Sequence, residues 1–412
     1  MLDINLLRDT PEKVKQACEK KNVKCNVDRI LDLDKKKREL MTEMEALKAE
    51  QNKISRGGKD NNVLITQAKE IKDKIKSMEP ELEKTEKEFN ELLMGLPNIT
   101  ADDVVAGGKE NNKVLRQFAK RPKFTFKPKD HVELATSLNL IDYERAAKMS
   151  GAGFWIYKGN GAVLEWALLN YFIDFHRKNK YTFIMPPYLL KEESAYTSGH
   201  LPKFRDDLYW TQDKLCLDAT SEMMLGNYHK GEILDEESLP LKYFAYSACF
   251  RREAGSYRKE ERGMIRGHQF NKIEMFQFTK PEQSWKAFDE LVKNAEKLVE
   301  GLGLHFQSVQ LAAEDMSEAM AKTIDIEVWI PSMEIYKEVS SASNALEYQA
   351  RRGNVKYRDE KNNKNKFVHT LNASGLATSR LLPAILEQFQ QKDGSVKVPK
   401  VLQKYCGFKI IK

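Results

Sequence analysis

The chain has 412 residues and a formal net charge of +7, long enough for two or three domains with a large core and mildly suited to a polyanionic partner. No apolar run reaches the roughly 18 residues of a membrane span, and MLDINLLRDT lacks a basic segment followed by an apolar one, so neither a membrane helix nor a signal peptide is expected. The five cysteines are scattered without a CxxC and the seven histidines show no ligand spacing, which predicts reduced thiols in a cytoplasmic protein and argues against structural zinc.

Residues 1–108 are rich in Lys and Glu and poor in aromatics. A heptad seam runs Ile30, Leu33, Lys37, Leu40, Met44, Leu47, Gln51, Ile54, and a second runs Leu64, Ala68, Ile71, Ile75, Met78, Leu82, Thr85, Phe89, Leu92. SRGGKDNN lies between them as a Gly/Asn turn, so the pattern predicts an antiparallel coiled-coil hairpin with helices roughly 40 Å long. Pro80 is expected to kink the second helix. By itself such a hairpin is equally a dimerisation or spacer element, and its charged faces are equally ordinary solvated surface. Gly107-Gly108 reads as the hinge into a second domain, 109–412, where aromatics and β-type alternation rise. There AVLEWALLNYFIDFHRK, residues 162–178, reads as an apolar helix, and YTFIMPPYLL as a strand ended by Pro186-Pro187. Segments 241–253 and 266–279 alternate like strands.

The stretch FRREAGSYRKEERGMIRGHQF, residues 250–270, carries Arg251, Arg252, Arg258, Lys259, Arg262 and Arg266 against Glu253, Glu260 and Glu261. Residues two apart on a strand share a face. Arg251 and Glu253 would therefore lie side by side, and Arg266, His268, Phe270, Glu274 and Phe276 would share the face of the returning strand, with a basic loop 254–265 between. Arg supplies a bidentate fork for phosphate oxygens, and Phe a surface for stacking a base. One Glu can accept from an exocyclic amine and another can hold an ammonium. With no Gly-rich phosphate loop and no GxGxxG, this would be nucleotide binding on a sheet; a solvent-facing hairpin of paired charges is the alternative.

That stretch resembles motif 2 of class II aminoacyl-tRNA synthetases, and within them the seryl-tRNA synthetase family. YTFIMPPYLL followed by TSGHLPKF resembles motif 1, and ATSEMMLGNYHKGEIL the Thr-x-Glu serine loop. KEVSSASNALEYQARR and FVHTLNASGLATSR resemble the ATP-metal segment and motif 3, and the resemblance covers the whole chain, arm included. It implies an α+β fold: a class II catalytic domain on an antiparallel β-sheet, 109–412, with an N-terminal antiparallel coiled-coil hairpin, 1–108, that binds tRNA. It implies ATP, Mg²⁺ and L-serine as ligands, serine tRNA as partner through its long variable arm and acceptor end, and a homodimer formed through helix 162–178 and the YTFIMPP strand.

Carried over residue by residue, the resemblance implies that Arg251 holds the α-phosphate and the reacting carboxylate. Glu253 would recognise the adenine amine, Arg266 the terminal phosphates, and Arg380 the adenine side and γ-phosphate; these three arginines form the catalytic set. Phe270 would stack on adenine, with Arg252 nearby. Glu338 would bind Mg²⁺ with Ser341 beside it, and the run Glu338, Val339, Ser340, Ser341 would bind ATP. The serine pocket would comprise Thr220, Ser221, Glu222, Arg251, Glu274, Asn372 and Ser374. His268 and Met223-Met224 are expected to be structural, and Arg351-Arg352 either a helix-face salt bridge or an acceptor-stem contact. The chain departs from the family at Ala373 and Ser379, where Gly is usual, at Gly153 in place of Arg, at Ser221 in place of Ala, and at Pro383 within the motif 3 helix. An arm-bearing relative that adenylates an amino acid for a carrier protein or metabolite, and a non-catalytic RNA-binding paralogue, are the alternatives to a serine–tRNA ligase.

Overall fold

The structure, a computed structural model, describes residues 1–56, 62–254 and 263–412. Most of the SRGGKDNN turn, the Arg56 side chain, and Arg258, Lys259, Glu260, Glu261 and Arg262 therefore lie outside the described residues. The chain divides into two compact units, Met1–Ile99 and Thr100–Lys412. Gly107 and Gly108 lie in the second unit, where the Glu314 amide donates to the Gly107 carbonyl at 3.1 Å.

The first unit begins with helices α1 (Ile4–Asp9), capped by Asp3, and α2 (Pro11–Lys20), with Pro at the first position where its missing N–H costs nothing. Two long helices follow, α3 (Val27–Arg56) and α4 (Asn62–Met94). Every residue of both predicted seams is buried or half-buried, because a 3.5-residue repeat keeps one stripe of each helix against the other. Their antiparallel register is written in the ion pairs Arg29–Glu88 (2.7 Å), Lys36–Glu81 (2.6 Å) and Lys74–Glu43 (2.9 Å). Each step of seven along α3 is matched by a step of seven back along α4. Helix α4 continues through Pro80, which is exposed. The expectation of five reduced cysteines is corrected here: Cys18 and Cys25 are joined as a disulfide, while Cys216, Cys249 and Cys406 are free. The turn between α2 and α3 doubles back and brings the two Cα atoms to 6.3 Å, a closure that a seven-residue spacing does not announce.

In the second unit eight strands form one sheet: β1 (Lys113–Phe118), β2 (Thr182–Ile184), β3 (Leu241–Phe250), β4 (Gln269–Thr279), β5 (Phe306–Gln310), β6 (Lys322–Ile330), β7 (Ile335–Leu346) and β8 (His369–Ala377), in the order β1-β5-β6-β7-β8-β4-β3-β2. All pairs are antiparallel except β2 with β3, where Thr182 faces Tyr243. Helices α5 (Asn160–Lys178), α6 (Ser284–Leu302) and α7 (Thr378–Gln388) cover one face. Leu168, Phe172, Phe288, Leu291, Leu382 and Ile385 from these helices join Ile273, Met275, Ile324, Ile326, Leu371 and Ala373 from the sheet in the main core. Truncating a large member such as Phe288 to Ala should cost about 3–5 kcal/mol.

The period of two then dictates the rest. The partners of those core residues, Lys272 and Glu274 on β4, Thr323 and Asp325 on β6, Ser341 and Ser343 on β7, Asn372 and Ser374 on β8, face the other side and line a single cavity. The sheet is apolar on its helix side and polar on its open side, and the polar side carries the site.

The expectation that strands extend to Glu253 and back to Arg266 needs correction. Strand β3 ends at Phe250 and β4 starts at Gln269, and Glu253 adopts φ +52° in the left-handed region. Arg251, Glu253, Arg266 and His268 therefore sit on connecting segments, so a strand-face argument does not position them.

Candidate active site

Two cavities open on the polar face. The first, of about 250 Å³, is lined by Thr220, Glu222, Arg251, Lys272, Glu274, Asp325, Glu338, Ser341, Asn372 and Ser374 among others. The second, of about 310 Å³, is lined by Arg251, Glu253, Arg266 and Arg380 with His200, Phe204, Asp207, Leu208 and Ala219. Arg251 borders both, held by its Nε donating to the Ala219 carbonyl at 3.2 Å.

In the first cavity two carboxylates stand close together. Glu222 begins a helical turn, Glu222–Leu225, and accepts from Gln349 Nε2 at 2.6 Å and Asn372 Nδ2 at 3.0 Å. Burial and then the charge of Glu274 push its pKa up to about 7. Glu274 accepts from Ser374 Oγ at 3.4 Å and Thr220 Oγ1 at 3.5 Å, and pairs with Lys272 Nζ at 2.6 Å. A third acidic group, Asp325, lies across the ladder from Ser341. Burial and the charge of Glu338 raise its pKa well above the carboxylate range, and its Oδ1 has no hydrogen-bond partner among the described residues. An orphaned buried carboxylate oxygen beside a second carboxylate and a hydroxyl is a set of hard oxygen donors short of a cation, which fits Mg²⁺.

The second cavity carries the opposite charge. Arg266 pairs with Glu253, and Arg380 donates through Nη1 to the Glu338 carbonyl at 2.8 Å. Arg251 also lies over the Phe270 ring, 5.2 Å from its centroid. His200, which borders both cavities, is held neutral: burial first, then Arg251 and Lys272, lower its pKa to about 3.

The structure thus gathers Thr220, Glu222, Arg251, Glu253, Arg266, Glu274, Glu338, Ser341, Asn372, Ser374 and Arg380 around the two cavities. Ser221, Arg252, Phe270, Val339 and Ser340 are not among the lining residues. Ser221 donates its hydroxyl to Ser247 at 2.7 Å, Ser340 to the Ser374 carbonyl at 2.6 Å, and Val339 packs in the core. Arg252 is exposed and reaches the Asp206 carbonyl at 3.1 Å. Arg351 lies 2.7 Å from Glu347 one turn away, the helix-face pair, whereas Arg352 reaches outside its helix to the Tyr196 carbonyl at 2.9 Å. His268 bonds the Arg251 carbonyl at 3.0 Å. The unusual Gly153 has φ +81°, and a Cβ there would lie 2.7 Å from the His268 ring, so glycine and histidine fit each other. Sequence reasoning passed over Lys272, His200, Asp325 and Gln349. Lys272 was within reach, since it shares the parity of Glu274.

An antiparallel sheet with this polar face is the arrangement of one synthetase class: residues 203–389 match the tRNA synthetase class II core domain (G, H, P, S and T). Residues 1–100 match the seryl-tRNA synthetase N-terminal domain. The chain is 54% identical to serine–tRNA ligase 2 of Clostridium acetobutylicum, covering 99% of each chain, and 45% identical to the serine–tRNA ligase of Petrotoga mobilis, covering 100% of each. The crystal structure of seryl-tRNA synthetase from Pyrococcus horikoshii complexed with ATP superposes with a TM-score of 0.93 at 36% identity, over 100% of this chain and 99% of that one. The chain belongs to the seryl-tRNA synthetase family.

Proposed function

We propose that the protein is a serine–tRNA ligase, which activates L-serine with ATP and transfers the seryl group to the 3′ end of serine tRNA. The observation that carries this is the position of Arg251 between two cavities, one suited to an amino acid and one to a nucleotide. In the first step a serine carboxylate oxygen attacks the α-phosphorus of ATP, forming seryl-adenylate and expelling pyrophosphate. In the second a terminal hydroxyl of the tRNA attacks the seryl carbonyl and AMP leaves. Two anions must meet in the first step, and Arg251 is the cation that neutralises both while holding them in line. Glu253 reads the adenine amine, Phe270 and Arg252 support the base side, and Arg266 and Arg380 hold the outer phosphates. Thr220, Ser221, Glu222, Glu274, Asn372 and Ser374 form the serine pocket, with Ser221 shaping its wall. Glu338 and Ser341, with Asp325, would hold Mg²⁺, which would supply positive charge to the phosphates, and Val339 and Ser340 belong to the same ATP-binding run.

We assign residues 1–108 to tRNA binding through the long variable arm, supported by the exposed Lys35, Lys48, Lys53, Lys69, Lys72 and Lys76 on α3 and α4. We also infer a cytoplasmic homodimer. Val163 and Trp166 on α5, with Met185 and Leu189 after β2, are exposed, Trp166 by 55% and Met185 by 74%, and the dimer would cover them. Full-length coverage by serine–tRNA ligases favours this reading over a carrier-protein ligase or a non-catalytic paralogue.

The test is serine-dependent ATP–pyrophosphate exchange followed by charging of serine tRNA. Exchange with another amino acid in preference to serine, or exchange without charging, would overturn the proposal.

A further inference from the structure

Among the described residues, three border both cavities: His200, Phe204 and Arg251. They mark the place where the two substrates of the first step must meet, and where the adenylate would await the tRNA. Of the three, Phe204 offers no lone pair and Arg251 is a cation with no acceptor, so only His200 can take a proton. The activation chemistry above gives it no task. The backbone holds it in place. Helix Glu192–Ser198 stops at Gly199, whose φ of +88° turns the chain; the His200 amide donates to the Ala195 carbonyl at 3.0 Å, and the Phe204 amide donates to the His200 carbonyl at 2.9 Å.

The ring has one side-chain partner. Nδ1 lies 2.9 Å from Ser198 Oγ, and that hydroxyl has a single proton, directed to the Ala195 carbonyl at 3.1 Å and the Ser194 carbonyl at 3.4 Å. A carbonyl only accepts, so the hydroxyl accepts in turn from Nδ1–H, which assigns the open lone pair of the ring to Nε2. No hydrogen bond to Nε2 occurs among the described residues. Burial, Arg251 and Lys272 keep the ring neutral, so the lone pair is available. The same two cations discourage protonation in the empty site. A bound adenylate brings a negative phosphate to Arg251 and offsets that effect when a base is needed.

We propose that His200 is a catalytic residue of the second step, in which its Nε2 accepts the proton of the attacking tRNA hydroxyl. As the hydroxyl oxygen bonds to the seryl carbonyl carbon, its proton passes to Nε2. The bond from that carbon to the phosphate oxygen breaks, AMP leaves with the electron pair, and the imidazolium returns its proton to solvent. Ser198 is the positioning residue that keeps the ring proton on Nδ1. The proposal deepens the serine–tRNA ligase reading and rests on it.

The experiment separates the two steps in the full-length protein. Seryl-adenylate is formed on the enzyme and mixed with saturating serine tRNA, and the single-turnover transfer rate is read by rapid quench; activation is read by serine-dependent pyrophosphate exchange. His200→Ala should slow transfer by about 10²-fold or more, the usual worth of a general base, and slow exchange far less. Ser198→Ala should slow transfer by about threefold to tenfold, the worth of one hydrogen bond, again with a smaller effect on exchange. A histidine that only supports the cavity wall would lower both rates together. Transfer at the wild-type rate in His200→Ala, or an equal loss in both steps, overturns the assignment. Should His200→Ala fail to fold, Ser198→Ala decides: a loss concentrated in transfer supports the assignment, and an equal loss or none overturns it. A wild-type protein that makes no seryl-adenylate would instead overturn the ligase reading itself.

Discussion

In the first unit, charge stays mostly on the flanks of the hairpin; Lys21 and Asp34 are buried, with Asp34 paired to Arg8 at 2.7 Å. Arg29–Glu88, Lys36–Glu81 and Lys74–Glu43 tie α3 to α4 across their exposed flanks, over a seam of Leu, Ile and Met. In the second unit, charge is taken in. Glu222, Lys272, Glu274 and Asp325 are each less than a tenth exposed, on the polar face of a sheet whose other face is apolar. Exposed pairs contribute little because water screens them, whereas buried charges cost several kcal/mol each unless something meets them. The contrast locates function: a fold carries uncompensated charge inside only where a ligand completes the arrangement. The first unit is built to be stable and to show a charged surface, the second to be incomplete until its substrates arrive.

The contrast breaks most visibly at its extreme. Arg251→Ala and Glu338→Ala each remove a group that the proposed chemistry sets against the phosphates, and each should lower serine-dependent pyrophosphate exchange by about 10²–10³-fold, the loss typical of one preorganised electrostatic partner. Thermal stability should hardly change, since neither side chain is a core residue. Near-normal exchange in either variant would remove that residue from the site.

Next comes the arm. Replacing Lys69, Lys72 and Lys76 by Ala on the exposed side of α4 should weaken tRNA binding by about tenfold or more at moderate salt, and flatten the salt dependence by about 0.9 in slope for each phosphate that is no longer neutralised. Pyrophosphate exchange should stay the same. If exchange falls together with charging, the division of labour between the units is wrong.

A third test concerns the buried charge of Glu222. Its pKa in the free site is about 7, raised by burial and by Glu274. An incoming ammonium favours the ionised form, so below pH 7 binding must first remove a proton. The kcat/KM for serine should therefore fall about tenfold per pH unit on the acid side of 7, and Glu222→Gln should abolish that limb. The same raised pKa has the opposite sign for stability: the folded state holds this proton more tightly than the unfolded chain, so the contribution is present at low pH and is lost as pH rises from 4.5 through 7. A flat serine profile from pH 6 to 8 would show that the carboxylate is already ionised.

The two units also differed in how far they could be read from the sequence. The hairpin was legible almost residue by residue, because a seam repeating every 3.5 residues is a local signal with one physical meaning. The disulfide between Cys18 and Cys25 was not, because it depends on how a turn closes. In the second unit, ordered motifs marked Arg251, Glu274, Glu338 and Arg380, and alternation marked the strands. Alternation failed beyond Phe250, where the backbone turns to φ +52° at Glu253, although Glu253 and Arg266 still meet. Asp325 and Gln349 were invisible because their meaning arises from strand pairing and from a helix packed across the sheet, which no local pattern encodes. Lys272 was readable in parity but not in consequence: that its Nζ lies 2.6 Å from Glu274 is a fact of three-dimensional distance.

The smallest expected effect sharpens the comparison from the other side. Lys74 and Glu43 stand 2.9 Å apart, yet their side chains are 57% and 50% exposed. At that exposure the attraction acts through water, and holding two long side chains together costs rotamer entropy, so the pair should contribute less than about 0.5 kcal/mol. Lys74→Ala should shift the melting of the helical arm, followed by circular dichroism, by no more than a degree or two, and less again in 1 M salt, where screening acts within about 3 Å. Reversing both charges, with Lys74→Glu and Glu43→Lys together, should restore the wild-type value, because the heptad register opposes the two positions whichever sign each carries. A large loss in the single variant would mean that the pair is shielded from water, and the contrast between an outward-charged arm and an inward-charged catalytic unit would have to be redrawn. A double reversal that fails to recover would place the effect in backbone propensity or in a neighbour such as Lys36–Glu81, one heptad away, rather than in the pair itself.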